Sequence, residues 1–278
     1  MPTQAPFSQR IWLDHLAFAK STLLQDADIP WLDATALAQW LAKAHSLLGQ
    51  HVVLVPLHEG IKAWLLAHPD LLEDLRQIKG PMGLVRGLCA HPGFTAWLQA
   101  VAQNQGLALP RGQVVLMLPG PAALMSLLLH VVHGMECPNI DPEDAEDATV
   151  YLANALRAMP ANAIDILAID VRLNDGDIPA GIDTLYKLAA HYQWHFGVHA
   201  QCATSVSGLQ LDFLIVDQAA NASQAQPRPT GSVVTLEDAA KAVHTSSEIN
   251  MDFLVVRLPD TALPEHVLPM VRALTEIK

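Results

Sequence analysis

Residues 114 to 132, VVLMLPGPAALMSLLLHVV, decide how the rest of the chain is read. The run is as long and apolar as a membrane span. Pro119-Gly120-Pro121 interrupts it, however, and prolines lack the amide hydrogens that a continuous helix would use. The reading is a buried strand, a sharp turn and a buried helix, with no membrane association.

The same unit recurs on both sides. Short apolar, β-branched runs follow at IDILAIDV (164–171), HFGVHA (195–200), LDFLIVD (211–217) and MDFLVVRL (251–258), with GSVVT (231–235) a weaker candidate. HVVLVPL (51–57) precedes them. Most are separated by helical patterns such as 60–78, 91–106, 181–194 and 235–247. Asp141-Pro142 with Glu143 and Asp144 supplies a cap, an N1 proline and an acidic first turn for a further helix. Residues 8–48 also read as helical, with Asp33 as a cap, so 1–48 is expected to be an N-terminal helical segment. Apolar strands alternating with helices imply a parallel sheet covered on both faces. Seven or eight such units in 278 residues fit a single α/β domain, a TIM-type (β/α) barrel, better than an open doubly wound sheet.

Composition narrows the function classes. The chain is 51% hydrophobic and 16% charged, enough apolar material for a large core. With 16 Lys and Arg against 28 Asp and Glu, the net charge of −12 repels a phosphate backbone, and nucleic acid is not an expected partner. Residues 1–20 carry no apolar stretch followed by a small-residue cleavage site, so a cytoplasmic location is expected. Cys89, Cys137 and Cys202 are odd in number and widely spaced, which suggests free thiols.

In a barrel the strand ends converge on one rim, where catalytic groups sit. The residues that would share it are His58 and Glu59, Pro119 and Gly120, Asp170 and Arg172, His199 and Cys202, Asp217, and Arg257. Asp170 and Arg172 are two apart and point the same way, either as a fork–carboxylate pair or with a substrate divided between them. His199, Cys202 and Asp217 offer zinc-type donors, with Cys137 a conceivable fourth. The competing reading makes His199 the end of a core strand and Cys202 a small buried hydrophobe. Residues 172–179, RLNDGDIP, are rich in oxygen donors but also in ordinary turn formers. Residues 219–231, AANASQAQPRPTG, are either a flap over the pocket or a plain surface loop.

Three segments resemble the uroporphyrinogen decarboxylase and cobalamin-independent methionine synthase superfamily. VVLMLPGPAALMSLLL is similar to its strand–Gly-Pro–helix segment, AIDILAIDVRL to the following acidic strand, and FGVHAQCATSVSGLQLDFLIVD to a His-x-Cys strand and a strand ending in an acidic zinc ligand. They occur in the same order over residues 110–220. The departures are that His199 and Cys202 are one residue further apart than His-x-Cys, Ala123 replaces a hydroxyl residue, and no cysteine follows Cys202. The N-terminal Arg-Gln-Ala-Gly-Arg motif of the decarboxylases is also missing, and the chain is short for the family, which implies trimmed loops or a missing barrel element.

The resemblance implies a small-molecule enzyme of one of two kinds. One is a methyltransferase with zinc on His199, Cys202 and Asp217 and a corrinoid or folate methyl donor, Gly120, Pro121 and His58 lying against the cofactor, and a corrinoid protein or a second copy of the chain as partner. The other is a metal-independent decarboxylase working through Asp170, Arg172 and His199. A non-catalytic barrel acting as a partner subunit is the third reading.

Overall fold

The structure is a computed structural model that describes residues 11–275, apart from 26, 50–51, 111–112, 136–139, 173–180, 202–208, 218–228 and 246–251. In chain order the elements are β1 (Ile11–Asp14), α1 (Leu16–Leu24), α2 (Ala34–Leu48), β2 (Val52–Pro56), α3 (His58–Leu66), α4 (Pro69–Arg76), α5 (Pro81–Ala90), α6 (Pro92–Ala108), β3 (Val114–Pro119) and α7 (Pro121–His133). There follow α8 (Pro142–Arg157), β4 (Ile166–Asp170), α9 (Ile182–Tyr192), β5 (His195–Ala200), β6 (Phe213–Val216), β7 (Thr230–Thr235), α10 (Leu236–Thr245), β8 (Phe253–Arg257) and α11 (Pro264–Thr275). The eight strands are all parallel and close in sequence order, β8 pairing back onto β1. This is the expected (β/α) barrel, and no strand is missing from it.

Two expectations about elements change. The segment 1–48 is not wholly helical, because Ile11–Asp14 is the first barrel strand, paired with β2 and β8. Four residues are too few to show a period of two, and only pairing on both sides makes them a strand. Residues 60–78 hold parts of two helices, since Pro69 cannot supply the amide that would continue α3. Proline opens α4, α5, α6, α7 and α8, where its missing N–H is one that no helix uses. The Asp33 and Asp141 caps form as expected, on the amides of Thr35 and Ala36 and of Glu143.

Alternation along each strand divides its side chains between two cores. Those facing outward, such as Leu118, Ile169, Val198 and Val216, pack under the helices. Those facing inward, including Trp12, Leu54, Met117, Ala168, Phe213, Ile215, Phe253 and Val255, fill the barrel. Its lower part is aromatic: the rings of Trp12 and Phe253 stack at 4.3 Å and those of Trp12 and Phe213 meet edge-on at 5.3 Å. Glycines on neighbouring strands make room for them. A Cβ on Gly197 would fall 2.2 Å from the Phe213 ring, and one on Gly231 would fall 2.2 Å from the Phe253 ring.

A short repeat underlies this packing. Asp212 and Asp252 precede Phe213 and Phe253, and their carboxylates accept the amides of Phe196 and Thr230 on the preceding strands. Each Asp-Phe pair thus sets the register of its strand and fills the space over the partner's glycine. Gly197→Ala is expected to destabilise the fold by about 1–3 kcal/mol through overpacking. Urea unfolding checks this, and Phe213→Leu should remove most of the added cost in the double variant.

Candidate functional site

The two-residue period that buries Phe213 and Phe253 also aims the strand ends inward. Asp14, Asp170, His199, Asp217, Thr235 and Arg257 share the inward parity of their strands and stand above the apolar filling, at the C-terminal mouth. Pairing fixes their neighbours: Asp170 lies beside Pro119 and His199, and Arg257 beside Asp14 and Thr235. Asp14 lies in the segment expected to be helical, so sequence reasoning missed it; the signal available was a carboxylate ending a short apolar run, IWLD.

Asp170 and Arg172 adopt the pair rather than a divided arrangement. Arg172 donates from Nε to Asp170 Oδ1 at 2.9 Å and from a terminal nitrogen to Oδ2 at 2.6 Å, while its backbone amide also reaches Oδ1. Its other terminal nitrogen lies 3.7 Å from Asp217 Oδ2. Asp217 Oδ1 is 2.9 Å from His199 Nε2. Asp170, Arg172, Asp217 and His199 therefore form one continuous polar chain across the mouth, and a separate pair, Arg257 Nε and Asp14 at 3.2 Å, stands on the adjoining ends of β8 and β1.

The charges of this chain support one another. Burial opposes ionisation of Asp170, but the bonds and charge of Arg172, with the charge of His199, hold its carboxyl below the usual range. Burial likewise opposes ionisation of Asp217, and the His199 hydrogen bond with the charges of His199, Arg172 and Arg257 prevails. Arg172 is raised first by its bond to Asp170, against its own burial. An ionised Asp217 only accepts, so the proton in the shared bond is on His199 Nε2. His199 is 3% exposed and its Nδ1 has no partner among the described residues, whereas the Asp217 side chain is 33% exposed. Asp217 thus faces the mouth and His199 stands behind it.

The remaining expected residues are placed as follows. Gly120 and Pro121 are buried on the same rim, and the Gly120 amide donates to the backbone carbonyl of Asp170 at 2.8 Å. A Cβ on Gly120 would meet that carbonyl oxygen at 3.0 Å, so the glycine lets the turn after β3 brace the strand that carries Asp170. His58 and Glu59 open α3 just beyond β2, half-buried and exposed respectively. Cys202, Cys137 and the segments 173–180 and 218–228 lie outside the described residues, and with them the third zinc donor, the expected oxygen-rich turn and most of the expected flap. Cys89 is buried, which pushes its thiol up to about 12 and leaves it inert.

Among the described residues no group of three His, Cys, Asp or Glu side chains is gathered as a metal requires. His199 and Asp217 supply two donors, but they bond to each other and a guanidinium lies against Asp217. This donor set does not by itself fit zinc. Among the described residues, no helix is long and apolar enough to cross a membrane. No known family model matches the chain, and no curated protein matches it.

Acid should weaken the fold in two successive steps. His15, next to Asp14, is fully buried, and burial lowers it to about 4 against the charge of Asp14; burial lowers His45 as well. The unfolded chain therefore takes up protons that the folded chain refuses, and stability falls as pH drops from about 6.5 to 4, by roughly 3 kcal/mol for His15. Asp170 and Asp217, lowered in the fold, add stability above about pH 4 that is lost as pH falls through their folded values. Urea titrations at stepped pH should show His15→Leu flattening the upper window and Asp217→Asn the lower one.

Proposed function

We propose that the protein is a metal-independent lyase of the decarboxylase kind, acting on a small carboxylic acid at the C-terminal mouth of the barrel. What carries the reading is the Asp170–Arg172–Asp217–His199 chain, which joins buried strand ends to a carboxylate open to the mouth. Arg172 is already forked onto Asp170, so its role is to hold Asp170 and Asp217 in place. The cation with free donor capacity is Arg257, 53% exposed, which among the described residues gives Asp14 only its Nε–H. It is the group suited to a substrate carboxylate.

The chemistry needs little else from the protein. The bond from the α-carbon to the carboxylate breaks, CO₂ leaves, and the electron pair remains on a carbon whose charge an electron-poor group of the substrate must absorb. Asp217, ionised at the mouth, stabilises positive charge on that group, and the His199 Nε2 proton behind it supplies a path for reprotonating the carbon. Water then restores the proton to the pair. Only 16 basic residues in the whole chain, two of them at this mouth among the described residues, favour a substrate with one or two carboxylates over a polyanion.

The second reading is methyl transfer, which requires His199 and Asp217 to exchange their mutual hydrogen bond for a zinc ion shared with Cys202. CO₂ release from a panel of carboxylic acids separates the two. The expected result is turnover that survives chelator and Cys202→Ser, falls at least a hundredfold in Asp217→Asn, and shows a raised KM in Arg257→Gln. Stoichiometric zinc lost together with activity in Cys202→Ser would replace this reading with methyl transfer.

A further inference from the structure

Beside the mouth, a cleft of about 920 Å³ opens between the ends of β7 and β8 and the helices α10 and α11. A smaller cavity of about 20 Å³, next to Gln105 and Val114 at the opposite end of the barrel, holds no more than a water. The large cleft begins at Asp14 and Arg257. Much of its remaining lining is apolar, with Leu236, Leu258, Ala262, Val267 and Met270, and the exposed His266 stands among them. Glu237 and Asp260, both exposed, also line it.

From this lining we infer that the cleft binds the hydrocarbon body of an amphipathic monocarboxylic acid whose carboxylate exchanges with Asp14 on Arg257. The inference rests on the reading of the mouth as a carboxylic-acid site and names the substrate class. The volume is of the size that organic ligands occupy, and most of the lining apart from the Asp14–Arg257 pair is apolar. The free edge of the Arg257 guanidinium matches one carboxylate. Glu237 and Asp260, which share the lining, would repel a second negative charge, so a diacid of the same length binds less well.

Binding of saturated acids tests this without turnover, since acetate, butyrate, hexanoate and octanoate have no group to absorb the electron pair. Calorimetry on the full chain should show affinity rising up to about fourfold for each added methylene. The rise should flatten in Ala262→Trp, which fills the cleft from its half-buried wall, and in Met270→Glu, with melting curves confirming that both variants fold. Arg257→Gln should weaken all acids alike. Affinity that does not depend on chain length, a rise that both cleft variants keep, or octylamine binding more tightly than octanoate would overturn the inference. Chain-length dependence without CO₂ release from any acid would instead remove only the decarboxylase reading.

Discussion

Closing eight parallel strands into a ring forces every second side chain of each into one narrow space, and the rest of this structure follows from how that space is filled. Low in the barrel it is filled by Trp12, Phe213 and Phe253, which fit because Gly197 and Gly231 have no side chains on the facing strands. The rings occupy the lower layers, branched and small side chains the middle, and the last inward position of several strands is left for polar groups. The same parity that buries Phe213 places Asp217 two steps above Ile215, at the mouth. A slip of one residue in β6 would send Phe213 outward and Asp217 under the helices. The aspartates that hold β5 against β6 and β7 against β8 therefore guard the site as well as the fold.

At the mouth a second constraint applies. Three carboxylates, two guanidiniums and an imidazole stand at the end of an apolar barrel, where unpaired charge is costly. They are arranged alternately, so that each carboxylate has a cation or N–H donor against it. The arrangement is graded. Asp170 and Arg172 are locked by two parallel bonds, Asp217 is shared between a buried imidazole and an arginine, and Asp14 and Arg257 meet through a single contact at the outer side. The hydrogen bonds thin out from Asp170 on β4 to Arg257 on β8, where the large cleft opens. Asp170, Asp217 and His199 are thus each held by more of the network than Arg257, whose described contact is with Asp14 alone.

Much of the fold was legible because its strands are buried on both faces, and that burial writes itself as unbroken runs such as VVLML and FLIV. Prolines and aspartates marked the helix starts for an equally local reason: the first turn has amides to satisfy and none for proline to lose. The repeat of Asp-Phe with a glycine on the preceding strand was not legible, because the partners are about 16 to 22 residues apart and are related only by pairing. The first strand was hidden for a similar reason. Ile11–Asp14 is short, and it is a strand only through its hydrogen bonds to residues near 52 and 255.

For the site, the residue types were readable and their relations were not. A polar residue closing an apolar run in a parallel barrel is at the mouth, which marked Asp170, His199, Asp217 and Arg257 from the sequence alone. The two-residue spacing also pointed to a pairing of Asp170 with Arg172, although β4 ends at Asp170 and the pairing is made from the turn beyond it. Which carboxylate each cation would meet depended on side chains from β1, β4, β5, β6 and β8 entering one space, and distances across a barrel are not written in any local segment. The alternation of strand and helix from β2 onward, the inward parity of those strands and the acidic character of the chain were readable because they follow from local period and composition. That Arg172 is held by Asp170, that Asp217 fronts His199 and that Arg257 opens onto a large cleft came from the folded barrel, because its closure is what brings residues 14, 172, 217 and 257 within reach of one another.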